Sequence, residues 1–333
     1  MRDGIADIRT LWKPLAARNV LRRVAPMIRT AKVSAQLAGS RLDKAVLAVF
    51  DGLSRALVKK AIDERAIRVN GRVIAKGDVV AENDELSIDE SWLVPRDAPA
   101  IAEPEQPLNV CYKSDQVLVV DKPAHQPTAP LRADERGTLA NALVGHFPEL
   151  AGTGRNPREP GLVHRLDNDT SGLVVVGRTG AAVAELVDAL QHELIAKRYL
   201  LWCSSEGLPD SGTIDIPLTN HPKDKRRVYP CIHPRDVMRY APREATTHYR
   251  VIRRAGDLAL VEADAPKAHR HQIRAHFAGI EHPLLGDVLY GGREHPGLSR
   301  HALHASHIAY RGGATVEAFS VDSPLPPELQ AIG

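Results

Sequence analysis

Two helical stripes come first along the chain. Leu42, Val46 and Val49 recur at helical spacing over 41–50, and Leu57, Val58, Ala61 and Ile62 do so over 55–64, behind Ser54 as a capping residue. A period of two then takes over. Ile67-Arg68-Val69 and Arg72-Val73-Ile74 bracket Asn70-Gly71, a pair that tolerates positive φ and predicts a tight hairpin. Gly77-Asp78 marks another turn, and 85–88 alternates as a strand. Residues 95–107 contain Pro95, Pro99, Pro104 and Pro107 and read as a semi-rigid linker. Beyond it, strands are expected at 117–120, 173–176, 198–203, 247–252 and 258–263. Helices are expected at 138–147 and around the face of Val183, Leu186, Val187 and Leu190. Strands interleaved with a few helices, without a regular βαβ rhythm, predict an α+β fold on a mixed sheet. Residues 1–35 are basic and apolar without a period, and are expected to be poorly ordered or loosely helical.

Length and composition narrow the class. The 333 residues exceed one average domain, and 43% hydrophobic residues suit a globular protein. No run of 18 apolar residues predicts a membrane helix, and no apolar stretch near the start predicts secretion. Cys111, Cys203 and Cys231 lie far apart and form no disulfide framework or metal clip, which points to a reducing cytoplasm. No obligate protein partner is evident.

Charge changes the picture more than composition does. The chain carries +3 overall, yet residues 41–76 hold nine Lys/Arg against four Asp/Glu. Arg55 and Lys59 lie one helical turn apart, Lys60 extends that face, and Arg68 and Arg72 flank the tight turn. Such a surface can hold RNA phosphates without reading bases, or can be merely a solvated helix face. Arg41-Leu42-Asp43-Lys44, Ser54-Arg55, Lys59, Val69-Asn70-Gly71 and Gly77-Asp78, in this order, resemble the S-four-type RNA-binding domain. The resemblance implies RNA contacts from Arg41, Lys44, Arg55, Lys59, Lys60, Arg68 and Arg72.

The strongest candidate for chemistry is the run from Gly161 to Leu173. Apolar Leu162-Val163 enters a polar loop, His164-Arg165-Leu166-Asp167-Asn168-Asp169-Thr170-Ser171-Gly172, and the chain returns to an apolar strand. A carboxylate held between two buried strands is fixed in position, as catalysis requires, although by periodicity alone an Asp that caps a turn is the simpler reading. The run His164-Arg165-Leu166-Asp167 with Thr170-Ser171-Gly172-Leu173 resembles the central motif of the RluA-type pseudouridine synthases. Asp121-Lys122-Pro123 resembles that family's first motif, and Lys197-Arg198-Tyr199 the strand with its active-site tyrosine. His271-Gln272-Ile273-Arg274-Ala275-His276, His282 to Asp287, Tyr290 and Leu303-His304-Ala305 follow in order, so the resemblance spans about residues 41–305.

The resemblance implies an RNA pseudouridine synthase acting on ribosomal or transfer RNA. It implies Asp167 as catalytic carboxylate, Arg274 as its guanidinium partner, Tyr199 stacked on the uracil and Arg165 entering the stack that the flipped uridine leaves. A purely local ion pair between Arg165 and Asp169 is the plainer alternative. Lys223 to Tyr229 resembles the family's basic insertion, implying phosphate contacts from Lys225, Arg226 and Arg227. No cofactor is implied, because neither electrons nor groups leave the nucleoside. The implied organisation is an extension (1–35), the RNA-binding domain (36–92), the Pro-rich linker (93–107), the catalytic domain (108–325) and a tail (326–333).

Departures from the family pattern lie beside the implied cleft. Ala268-His269-Arg270 stands where Gly-Arg-Thr is usual, His125 replaces a glycine, and Thr128-Ala129-Pro130 replaces a Val-His-Pro-like piece. His269, His271 and His276 invite a metal, but 271 and 276 do not share a helix face and no Cys or carboxylate cluster joins them, so none is expected. A glycosidase reading would pair Asp167 with Asp169, and no other acid is placed to serve as a partner. A non-catalytic RNA-binding or assembly factor is the rival from another class.

Overall fold

The computed structural model describes residues 28–333 apart from 52, 76, 90, 91, 93–97 and 133. Most of the extension therefore lies outside the described residues. The chain divides into two compact units, one ending at Val94 and the other beginning at Pro95.

The first unit runs β1 (Ile28–Lys32), α1 (Leu42–Val49), α2 (Arg55–Asp63), β2 (Ile67–Val69) and β3 (Glu85–Asp89). The helical stripes pack as their spacing predicts. Leu42, Val46, Val58, Ala61 and Ile62 are buried with Ile67, Val69, Leu86 and Ile88. Ser54 caps α2, its Oγ accepting from the Leu57 amide at 3.2 Å. Two expectations need correction. Ile28–Lys32, from the stretch without a period, is an edge strand antiparallel to β3. The Asn70-Gly71 turn forms, with both φ positive (49° and 76°), but the strand expected over 72–74 does not. Arg72 makes a single bridge to Val69, and β2 pairs instead with β3, Ile67 opposite Ile88 and Val69 opposite Leu86. Those apolar pairs enter the core, whereas Arg72 and Val73 stand exposed, so a ladder along 72–74 would bury little.

The second unit contains β4 (Asn109–Lys113), β5 (Val117–Lys122), α3 (Leu139–His146), β6 (Ser171–Gly177), α4 (Gly180–Gln191), β7 (Ile195–Ser204) and β8 (Ser211–Asp215). Then follow β9 (Leu218–Asn220), β10 (Val228–Pro230), α5 (Pro234–Tyr240), β11 (Thr246–Ala255), β12 (Leu258–Asp264), α6 (Gln272–Gly279), β13 (Leu303–Tyr310), β14 (Phe319–Asp322) and α7 (Pro327–Gln330). Among the described residues, nine strands form one sheet in the order β4-β5-β6-β13-β7-β12-β11-β8, with β14 also on β13. β6 and β13 run parallel and their neighbours antiparallel, which makes the sheet mixed. The continuous apolar runs reflect burial on both faces. Val117, Val119, Leu173 and Val175 pack on α4, while Leu118, Val120, Val174 and Val176 share a core with α3 and α6.

Both flanks of this unit are more firmly held than a spacer and a tail would be. From the Pro-rich stretch, Ala100 is buried, the Ile101 carbonyl accepts from the Asn141 side chain at 2.8 Å, and the Glu103 carboxylate accepts from the Gly137 amide at 2.7 Å. Leu329 and Ile332 are buried, and the Trp202 indole donates to the Leu329 carbonyl at 2.8 Å. Apolar positions in α7 are too few to show a period, which hid this docking from a pattern reading.

Candidate active site

The loop from His164 to Ser171 is fixed almost residue by residue. Its entry, read as a short strand, makes one bridge among the described residues, Leu162 to Val176. The loop is tied down instead by side chains. His164 Nε2 accepts from the Val175 amide at 3.0 Å. Thr128 Oγ1 donates to the Leu166 carbonyl at 2.8 Å and accepts from the Leu166 amide at 3.2 Å. The Lys122 ammonium, fully buried, donates to the carbonyls of Pro123, Gln126 and Asn168 at 2.8, 2.8 and 3.1 Å. Burial pulls Lys122 down to about 7, while Asp169 and Asp167 pull it back up. Thr170 Oγ1 meets His301 Nε2 at 2.7 Å, Ser171 Oγ meets His304 Nδ1 at 2.9 Å, and Arg300 donates to the Asp169 carbonyl at 3.2 Å. Gly172 has a φ of 116° beside β13, and any side chain there would strike the Ala305 backbone.

Asp167 emerges from this scaffold about one-fifth exposed. Arg274, on α6, donates from Nη1 to Asp167 Oδ2 at 2.9 Å. Its other two nitrogens are taken by Asp287, Nε to Oδ2 at 2.7 Å and Nη2 to Oδ1 at 2.9 Å. Asp287 thus turns the fork so that one nitrogen faces Asp167. Among the described residues Asp167 Oδ1 makes no hydrogen bond, so one carboxylate oxygen has no protein donor. Tyr199, on β7, is buried, and its paired neighbours on both sides are alanines, Ala263 and Ala305. Burial, with Asp167 and Asp264 nearby, pushes its phenol well above the usual range, so the hydroxyl keeps its proton.

The plainer alternative for Arg165 is corrected by position. Arg165 does not pair with Asp169; it lies 3.4 Å from Glu159, more than half exposed. Asp169 binds His125 Nδ1 at 2.9 Å, and His125 Nε2 reaches Ser299 Oγ at 3.1 Å. His125 has a left-handed backbone (φ 62°), and its ring bridges Asp169 and Ser299. His276 contacts Thr247 and the Ile216 carbonyl, and His269 the Glu244 carbonyl. Among the described residues no group of three or more His, Cys, Asp or Glu is placed to hold a metal. Lys225 and Arg226 are exposed, Arg226 pairing with Asp224 at 3.0 Å, and Arg227 is half-buried. Arg41, Lys44, Arg55, Lys59, Lys60, Arg68 and Arg72 are all exposed on the first unit.

Thr128, Asp287, Arg300 and His301 reach the loop or Arg274 across 38, 13, 131 and 131 positions, so no short spacing rule announces them. His276 and His301 are buried neutral, burial holding the first down to about 4 and the second well below its ordinary value. Unfolded imidazoles protonate near 6.5, so below that pH the unfolded chain binds more protons than the folded one. Stability should therefore fall as pH drops from about 6.5 towards 4, by up to about 1.4 kcal/mol per pH unit for each ring. Urea midpoints near pH 7 and pH 5 test this; equal midpoints would mean that the rings are charged in place.

Sequence comparison gives this geometry its class. The RNA pseudouridylate synthase profile matches residues 116–279, and the S4 domain profile matches residues 40–86. The ribosomal large subunit pseudouridine synthase D of Haemophilus ducreyi is 32% identical over 322 residues, 91% of this chain and 93% of that protein. The protein of that name from Escherichia coli K12 is 32% identical over 320 residues, 90% and 91% of the two chains. The structures of human RNA pseudouridylate synthase domain containing 1 and 4 share the fold, each with a TM-score of 0.51 over 67% of this chain, at 24% and 20% identity and over 86% and 90% of their own chains. The chain belongs to the RNA pseudouridylate synthase family, whose members isomerise uridine to pseudouridine in RNA. It carries an S4 domain ahead of the synthase domain, and no helix of its described residues is long and apolar enough to cross a membrane.

Proposed function

We propose that this enzyme isomerises uridine in RNA of the large ribosomal subunit, with Asp167 as the catalytic carboxylate. The observation that carries the reading is the Arg274–Asp167 contact at 2.9 Å, which joins positions 107 apart and leaves Oδ1 open. The reaction breaks the bond from ribose carbon 1 to uracil nitrogen 1, turns the base and joins the ribose to carbon 5. One proton leaves carbon 5 and one arrives at nitrogen 1, so the balance needs no cofactor. Asp167 can act as nucleophile or as base in that sequence. Tyr199, small-flanked and protonated, serves as the surface under the uracil. Exposed Arg165, held among the described residues by a long contact to Glu159, enters the vacated stack. The substrate follows the names of the relatives, and three unpaired cysteines fit a cytoplasmic site of action.

The test is pseudouridine mapping of total RNA from cells with and without the gene, and with Asp167→Asn restored. A site in large-subunit RNA that disappears and returns only with wild type supports the reading. Loss of a transfer RNA site instead moves the substrate. An unchanged map turns the chain into a non-catalytic RNA-binding factor.

Phosphate contacts by Arg41, Lys44, Arg55, Lys59, Lys60, Arg68, Arg72, Lys225, Arg226 and Arg227 complete the proposal. Replacing Arg55 and Lys59 together by alanine should flatten the slope of log affinity against log salt by about 2, roughly one for each phosphate no longer neutralised. An unchanged slope would take that helix face out of the interface.

A further inference from the structure

Between the basic loop and Asp167 lies a continuous chain of contacts that catalysis as proposed does not use. Arg270, at one of the departures from the family pattern, donates from Nη2 to the carbonyls of Lys225 and Arg227 at 3.2 and 2.9 Å, and so clamps the loop backbone. The next amide, that of Val228, donates to the Tyr290 hydroxyl at 2.7 Å. That hydroxyl lies 3.0 Å from His271 Nδ1. His271 Nε2 in turn stands 3.7 Å from Asp167 Oδ2. Two guanidiniums lie over the Tyr290 ring, Arg227 from the loop at 5.4 Å and Arg274 from the site at 5.1 Å. Arg227 Nε is buried without a hydrogen-bond partner among the described residues.

The donors and acceptors of this chain run in one direction. The Tyr290 oxygen accepts from Val228, and its single proton can pass to His271 Nδ1 as a hydrogen bond. The neutral ring then carries its own proton on Nε2, aimed at the carboxylate. His271 is also the left-handed residue (φ 54°) that opens α6, a conformation a histidine adopts only where its surroundings impose it. The last gap is longer than a hydrogen bond, and a closure of about 0.7 Å would make one.

We propose that Tyr290 and His271 are positioning residues that couple the 225–228 loop to Asp167, the imidazole closing on the carboxylate when the loop is seated on RNA. Phosphate at Arg227 satisfies its guanidinium and presses it on the Tyr290 ring. The shift passes through the hydroxyl to His271, which then holds Oδ2 from a second side while Oδ1 stays free for the uridine. The loop thereby contributes to turnover as well as to affinity, so that RNA bound without filling it reacts slowly.

The inference rests on the reading of Asp167 above. Single-turnover rates at saturating RNA, dissociation constants and Tm are measured for full-length Tyr290→Phe, Arg270→Ala and the double variant, on an unmodified transcript of large-subunit ribosomal RNA. Each single change should slow turnover about 10-fold with affinity within about twofold, and the double should be no slower than the worse single, the mark of one coupled path. Losses that multiply, or that appear only in affinity, overturn the proposal. Arg270 is exposed and its clamp involves only loop carbonyls, so an unchanged rate in Arg270→Ala overturns it even where Tyr290→Phe loses stability. No turnover by wild type on this RNA would instead overturn the substrate reading, and the inference with it.

Discussion

Asp167→Asn should bind RNA within a few-fold of wild type and form no pseudouridine. The substitution keeps the shape of the side chain, and the backbone clamps around it, from Thr128, Lys122 and Thr170, do not involve the carboxylate. What disappears is the negative oxygen left open to the cleft. The amide oxygen can still accept from Arg274, so a neutral hydrogen bond takes the place of the ion pair. A positioned acid–base group alone is worth roughly 10²–10⁴-fold in rate, and a nucleophile's loss is larger. Single-turnover assays with saturating RNA separate this from weak binding. Measurable turnover by a clean preparation would remove Asp167 from the chemical step.

The second large effect is expected at Arg274. Three of its nitrogens are engaged, two by Asp287 and one by Asp167, in a site where Arg274 and Asp287 are both nearly inaccessible. Burial alone would lower its affinity for a proton, but the two carboxylates raise it above its ordinary value, so the guanidinium is charged at any working pH. An ammonium at the same position can meet one carboxylate and leaves the other without its partner. Arg274→Lys should therefore cost about 3 kcal/mol in stability, on the scale of a broken buried pair. It should also slow turnover by about 10²-fold, the usual penalty for a displaced catalytic group. Asp287→Ala should reproduce both effects with Asp167 and Arg274 intact. Stability from urea titration and rate from single turnover are read on the same preparations. Near-normal values for Arg274→Lys would assign Arg274 to packing alone.

What the sequence disclosed follows from how local each device is. The helix of Arg55–Asp63 was legible because its apolar stripe and Ser54 cap lie within ten residues of one another. Val117 to Val120 and Leu173 to Val176 were legible because burial on both faces leaves an uninterrupted apolar run. The strand at Ile28–Lys32 was not, since only Ala31 is partly covered and no alternation marks it. Asp167, Tyr199 and Arg274 could be singled out only through the family motif, because periodicity makes them a loop acid, a strand aromatic and a helix cation. Their mutual placement depends on Thr128, Asp287, Arg300 and His301, each of which acts across a long stretch of chain. The hairpin expectation failed for the same reason in reverse: Asn70-Gly71 fixed the turn, but the partner of β2 was decided by the core residues Leu86 and Ile88.

The position of β13 in the sheet governs the order in which the enzyme can be made. This strand lies between β6 and β7, and its His304 joins Ser171 across 133 positions. A growing polypeptide that has passed β12 already holds both halves of the sheet, but each ends in an unfilled edge, β6 on one side and β7 on the other. Until residues 300–310 emerge, the turn beside Asp167 also lacks Arg300, His301 and His304. Pairing so distant in sequence is slow, and open edges invite other strands. A partly translated chain is therefore expected to be association-prone, and the loop of Asp167 is expected to acquire its fixed geometry only as β13 closes the sheet.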